Sequence, residues 1–539
     1  MMIRFCCFFV CCILTNISWA TPVRLGLSAD ADPVSVAACA TQGVKLVRIH
    51  ADWSQLQPTA KTWSFAKLDA AVNEAINRKV DVILVLGPTP IWAITYLTNP
   101  TPEQARRAKP DLPAYITYIT TLAKRYKDKV TYYQLWDRPS ATTLLATHRF
   151  VQKMYCTGAQ ALHSVNPKLQ AIAAEPGNVN IGWIDEYLSQ AKGSAWPDVL
   201  LLNPTTFALA PETFNWRMQS LRTMVLPTKN APALWADLPL GGQDSDPKSV
   251  IAATFLLDIP TLLFHPMQED AHLIADKDAE KTLHLLNRVQ GAEYVGYTTS
   301  DDGVDIPLFR NDIVTTALLV TSKPVVLPLK TYANTLAEVE LIPLDGDVKK
   351  VKVQDDTTLD VNTPLALLIG VTPVPIGKSP CYTPPKLNGD TAGFDPTGKD
   401  PLAINPLPNL PGGKYTVTQN DNKTVLTTIR NEQPWIHLNI PDGFLFYNKA
   451  GFPVEVTVKV YGMREAQKSG FSFYYDAIGG MSHSPWQWID EGTDKLYTYT
   501  MRIDDGLFAN REGYDIRIEM GGSKENIRLV DVSVKKIAK

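Results

Sequence analysis

The stretch Val80-Asp81-Val82-Ile83-Leu84-Val85-Leu86-Gly87 constrains this chain more than any other. Apolar residues occupy both of its alternating faces, so a strand built from it must be covered on both sides. A parallel sheet with helical crossovers supplies that cover. The preceding residues fit a crossover helix over Ser64–Lys79, with Leu68, Val72, Ala75 and Ile76 along one stripe. The same unit recurs. Strands are expected at Val23–Leu27, Lys45–His50, Val80–Gly87, Val130–Trp136, Gln170–Ala174, Val199–Asn203, Ala233–Asp237 and Thr261–His265. Helices are expected at Pro33–Gly43, Ser64–Lys79, Pro113–Asp128, Thr142–Val165, Trp183–Lys192 and Ala279–Gln290. Eight such units over this length fit a (β/α)8 TIM barrel. No Gly-x-Gly-x-x-Gly follows the first strand, which counts against a dinucleotide-binding sheet.

Beyond residue 304 the apolar period changes from helical to two. Thr315–Thr321, Ala337–Leu341, Lys349–Val353 and Leu365–Ile369 read as short strands of a small β-sandwich over 305–373. Residues 374–413 are crowded with Pro and Gly and read as a connector. Residues 414–539 return to alternation, clearest in Val454-Glu455-Val456-Thr457-Val458-Lys459-Val460, and suit a jelly-roll-like β-sandwich. The barrel is assigned to 21–304. The fold class is therefore α/β: a TIM barrel followed by a small β-sandwich and a C-terminal β-sandwich.

Residues 1–20 have the marks of a secretory signal peptide. Arg4 precedes a short apolar run, Phe5–Leu14, and Ser18-Trp19-Ala20 offers a small-x-small cleavage site. Secretion or a periplasmic location is the expectation, with no integral membrane segment once the signal is removed. The formal net charge of -3 provides no field for nucleic acid. Four of the seven cysteines lie in the signal. Cys39, Cys156 and Cys381 remain, with spacings that fit neither a metal knuckle nor a redox pair. No metal and no cofactor are expected.

The fourth strand ends Tyr132-Tyr133-Gln134-Leu135-Trp136-Asp137-Arg138-Pro139. The turn resembles the Trp-Asn-Glu-Pro signature of the clan A (β/α)8-barrel retaining glycosidases, families 39, 42 and 5 among them. The run Arg48-Ile49-His50-Ala51-Asp52-Trp53, Gln57-Pro58 and Trp63-Ser64-Phe65-Ala66-Lys67-Leu68-Asp69 resembles the Arg…Trp…Glu-Pro…Asp-Phe…Leu-Asp run of families 39 and 42. Thr89-Pro90-Ile91-Trp92 is similar to the Thr-Pro-x-Trp after their third strand. Leu234-Trp235-Ala236-Asp237 is similar to the seventh-strand Trp-x-Thr-Glu.

This resemblance implies a site at the C-terminal ends of the strands. The general acid/base position holds Arg138, and the nucleophile position holds Asp237. Arg48 is implied to orient carboxylates from below. His50, Trp53, Trp92, Trp136, Asn203, Trp235 and His265 are implied to line a sugar cleft. A guanidinium keeps its proton at neutral pH and cannot serve as general acid. Asp237 is one methylene shorter than the glutamate it replaces. Glu175 and Asp137 are the candidate substitute acids, with Asp52 and Glu269-Asp270 as other candidates. An Arg138–Asp237 ion pair is the blander expectation.

Three readings stay open. The first is an exported protein that binds a cell-envelope or extracellular polysaccharide without normal catalysis. The second is an O-glycosyl hydrolase using Asp237 with a relocated acid. The third is a structural factor in polysaccharide export or assembly. In the C-terminal domain, Trp486 and Trp488 stand two apart, either as a sugar platform or as a capped core edge.

Overall fold

The computed structural model describes residues 22–137, 139, 144, 146–177, 179–203, 217–226, 230–240, 247–265, 276–301, 303–321, 324–373, 375–377, 379–380, 387, 389–400, 402–408, 413–420, 423–429, 435–462, 470–489, 495–520 and 526–538. Arg138, Glu269, Asp270 and Cys381 lie outside the described residues.

Eight strands close into a parallel barrel: β1 (Arg24–Ala29), β2 (Leu46–Asp52), β3 (Asp81–Gly87), β4 (Tyr132–Gln134), β5 (Gln170–Ala174), β6 (Val199–Leu202), β7 (Ala233–Pro239) and β8 (Thr261–His265). β8 pairs back onto β1, with Arg24 opposite Thr261. The expected barrel is therefore present, and β3 is buried along six of its seven residues as its composition demands.

Residues pointing into the barrel form their own core. Leu46, Ile83, Ile172, Ala174, Val199, Leu201, Trp235 and Leu263 pack together, with Tyr132 at their edge. Gly26 leaves room in this layer: a Cβ there would lie 2.6 Å from Leu263 Cδ2 and 2.9 Å from Leu46 Cβ. The outer faces of the strands pack against the ring of helices. The helices are started by side-chain caps, such as Asp32, Asp111, Thr147, Asn180 and Asp276.

Several boundaries differ from expectation by up to two turns. The helix expected from Thr142 starts at His148, where the Thr147 hydroxyl accepts the Phe150 N–H.

After the barrel, a six-stranded antiparallel sheet runs from Glu293 to Val371, beside a two-stranded piece. Its first strand, Glu293–Thr299, precedes the expected start of the sandwich and pairs with Asp305–Asn311. Two further sheets form the C-terminal sandwich. One joins Tyr415–Asn420, Lys423–Thr428, Arg528–Lys536, Val454–Tyr461 and Leu496–Ile503. The other joins Asn405–Pro406, Trp435–Asn439, Ile516–Glu519, Gly470–Ala477 and Gly480–His483. Two stretches of the Pro-rich connector belong to these sheets: Thr391–Ala392 pairs with the last strand and Asn405–Pro406 with Trp435–Asn439.

The sandwich docks on the barrel beside the helices that follow β4 and β5. Arg217 and Asp442 form an ion pair at 3.1 Å with both side chains almost wholly buried. Lys449 meets Asp185 at 2.9 Å, and Arg149 donates to the Gly479 carbonyl at 2.8 Å.

Candidate active site

Side chains climb the inside of each strand in steps of two. On β2 the order is Leu46, Arg48, His50; on β7 it is Trp235, Asp237; on β8 it is Leu263, His265. The lower member of each set is in the barrel core, and the upper member reaches the C-terminal mouth where barrel sites are built.

Arg48 organises the mouth. Its Nη1 donates to Asp237 Oδ1 at 2.9 Å, and its Nη2 donates to Asp137 Oδ1 at 3.2 Å. His265 Nδ1 lies 2.8 Å from the same Asp237 oxygen. The Arg48 and Asp237 side chains are 2% and 0% exposed, whereas Asp137 is 37% exposed. One guanidinium thus joins a sealed carboxylate on β7 to an open one after β4. His50, one step above Arg48, is exposed.

Glu175 faces elsewhere. It is wholly buried, and its two oxygens accept four main-chain N–H groups. Oε1 takes those of Asn203 (2.8 Å) and Val179 (3.2 Å); Oε2 takes those of Gly177 (2.7 Å) and Asn180 (3.2 Å). Burial pushes its pKa up to about 7, against the pull of these N–H groups. The carboxyl ties the loop after β5 to the end of β6. Asn203, at that end, is 6% exposed, and its Oδ1 has no hydrogen-bond partner among the described residues.

The aromatic candidates pack into the core, three of them buried and Trp92 half-buried. Trp53 is wholly buried, stacks on Tyr118 at 4.6 Å and donates to Gln57 Oε1 at 2.9 Å. Trp92 is half-buried, meets Trp53 edge-on at 5.8 Å and donates to the Gln57 carbonyl at 2.8 Å. Gln57 therefore anchors two indoles. Trp136 is 3% exposed and lies against Gly87; a Cβ there, at φ +118°, would sit 3.4 Å from the indole. Trp235 packs on Tyr132 in the barrel core at 5.1 Å. Asp52 caps the short helix Trp53–Leu56.

One interior residue escaped the sequence reading. Gln134 points inward from β4, is wholly buried and donates to the Trp136 carbonyl at 2.9 Å. A polar residue at an inward strand position was the available signal. Among the described residues no group of three or more His, Cys, Asp or Glu side chains forms a metal cluster, and no helix is long and apolar enough to cross a membrane.

No protein-family model matches the sequence, and no curated protein matches it significantly. Solved structures do. A family 39 glycoside hydrolase from Bacteroides cellulosilyticus WH2 is similar with a TM-score of 0.49 and 15% identity, over 65% of this chain and 81% of that one. A monomeric beta-xylosidase from Caulobacter crescentus CB15 gives a TM-score of 0.48 and 12% identity, over 66% and 98%. A GH39 enzyme from Xanthomonas axonopodis pv. citri gives 0.45 and 13%, over 66% and 96%. The protein has a closed eight-stranded parallel barrel followed by β-rich domains built of antiparallel sheets.

Proposed function

We propose that this protein is exported and binds a polysaccharide in a glycosidase-like cleft that does not perform the usual retaining hydrolysis. The observation that carries the reading is the Arg48 guanidinium shared by Asp137 and Asp237. Retaining hydrolysis needs one carboxylate free to attack and one carboxylic acid ready to donate. The guanidinium donates to an oxygen of each carboxylate, so the contacted oxygen of each is held as an acceptor and is not placed to hand a proton to a leaving group. The sequence adds Arg138 at the acid/base position, where a proton donor is required. Export is supported by the apolar run and cleavage site near the N-terminus.

A second reading draws on the same contact. Asp137 is the exposed carboxylate, and it shares a guanidinium with Asp237. If a glycan drew Asp137 away from Arg48, it would be the relocated acid of an active O-glycosyl hydrolase. Glu175 fits that role less well, because both its oxygens are turned to main chain.

The test compares wild type, Asp237→Asn and Asp137→Asn for reducing-end release and for retention on a panel of extracellular polysaccharides. Retention without release is expected. Release that disappears in both variants would replace the first reading with the second.

A further inference from the structure

The two outer faces of the C-terminal sandwich differ in chemistry. On the strand Val454–Tyr461 the valines face the core, while Glu455, Thr457 and Lys459 face out. Thr457 pairs with Thr500 at 3.0 Å and Lys459 with Asp531 at 2.7 Å, an ordinary solvated surface. The other sheet turns Ile436, Leu438, Ile516, Ile518, Phe471 and Phe473 to the core. Its outer face carries a row across three strands, His437, Arg517 and Tyr474, and beside it a second row, Trp435, Glu519 and Ser472.

Within these rows the Arg517 guanidinium carbon lies 4.3 Å from the Trp435 ring centre and 4.6 Å from that of Tyr474. Ring, guanidinium and ring run side by side, and all three residues are half-buried. Arg517 Nη2 meets Glu519 Oε2 at 3.1 Å. His437 is 2% exposed and sits 4.7 Å from the Tyr514 ring; its Nδ1 is buried with no hydrogen-bond partner among the described residues. An aromatic run with a charge pair and an unsatisfied imidazole nitrogen costs stability on a sheet that only faces water.

The position of this face adds to its meaning. Tyr514 is two residues from Glu512, whose carboxylate lies 3.2 Å from His148 Nδ1. His148 is the first residue of the helix after β4, at the end of the barrel where the strands present their site.

We propose that this face is a second glycan-binding surface, beginning beside the barrel mouth and taking a neutral oligosaccharide segment. Sugar C–H faces stack on Trp435 and Tyr474. Hydroxyl groups take donors from Arg517 and an acceptor from Glu519. The Arg517–Glu519 pair is neutral as a unit, and Glu519 disfavours an acidic sugar. The proposal rests on the glycan-handling reading, but on residues separate from Arg48 and Asp237.

The test applies the full chain to an array of neutral and acidic oligosaccharides, alongside Trp435→Ala, Tyr474→Ala, Glu519→Gln and Asp237→Asn. The expected result is retention of a neutral glycan, weakened tenfold or more by either aromatic truncation and several-fold by Glu519→Gln. Glu519→Gln keeps the side-chain volume and serves if a truncation fails to fold, as checked by thermal melting. The inference is overturned if wild type retains no glycan, if it retains only acidic ones, or if the sandwich variants bind like wild type. Binding lost in Asp237→Asn but intact in the sandwich variants would leave the barrel reading standing and remove this one.

Discussion

Arg48 and Asp237 meet at 2.9 Å in the floor of the barrel mouth, and neither side chain is more than 2% exposed. Removing one member of a buried ion pair leaves an uncompensated charge, at a cost of about 3–5 kcal/mol. Asp237→Ala is expected near the lower end, about 3 kcal/mol, because Asp137 still contacts Arg48. The paired change Arg48→Met with Asp237→Leu should recover most of that loss. Urea unfolding of both variants checks this. An Asp237→Ala protein as stable as wild type would show that the pair does not hold the mouth together.

Glu175 gives a pH dependence of definite sign. Its carboxyl is raised from an ordinary value of 4.5 to about 7, chiefly by burial. A carboxyl raised in the folded state binds its proton more tightly there than in the unfolded chain. Its contribution to stability is full below about pH 4.5 and is lost as pH rises through 7, a swing of about 3 kcal/mol. The stability of wild type relative to Glu175→Gln should therefore fall between pH 5 and pH 8. A difference that stays constant would mean that the four N–H groups hold the carboxylate ionised throughout.

The barrel was legible because its signal is periodic and repeated. β5 and β8 lie where their apolar runs place them, and the doubly buried β3 could be nothing but an interior strand. The strand Glu293–Thr299 was less legible. Its sequence, Glu-Tyr-Val-Gly-Tyr-Thr-Thr, has little apolar alternation, and it is held by hairpin pairing with the neighbouring Asp305–Asn311.

The site was legible in part. Arg48, Asp237 and His265 stand at inward positions near strand ends, and the structure brings them together. The partners of Glu175 could not be read, because they are main-chain N–H groups. How deeply each indole is buried depends on neighbours such as Gly87 and Tyr118, which lie far away in sequence from Trp136 and Trp53.

His163 should contribute in the opposite pH sense to an acid held ionised. Its Nε2 lies 3.0 Å from Asp198 Oδ2 and its Nδ1 lies 2.8 Å from the Ser194 carbonyl, so both ring nitrogens face acceptors. Only the imidazolium donates from both. The hydrogen bond to Asp198 raises its pKa. A raised histidine stabilises fully below its unfolded value, near 6.5, and that contribution fades as pH climbs through the folded value. His163→Gln should cost about 1 kcal/mol at pH 5.5 and less at pH 9. Denaturant midpoints at the two pH values decide it, and an equal loss at both would show that the proton is not needed.

Asn180 joins the barrel rim to the sandwich through both ends of its amide. Its Oδ1 accepts the Trp183 N–H at 2.9 Å and caps the helix Ile181–Gln190, while its Nδ2 donates to the Arg511 carbonyl. Asn180→Ala removes the cap, worth about 1 kcal/mol. It also leaves a buried carbonyl without its donor, worth about 1–3 kcal/mol more. Asn180→Ser restores an oxygen for the cap but is too short to reach Arg511. The serine variant should therefore regain about 1 kcal/mol over alanine and no more. Urea unfolding followed by tryptophan fluorescence measures the two losses. Limited proteolysis adds a readout that capping alone would not move, since both variants should expose the 505–515 region to cleavage. A serine variant with wild-type stability and protease resistance would show that the bridge to Arg511 does not fasten the sandwich.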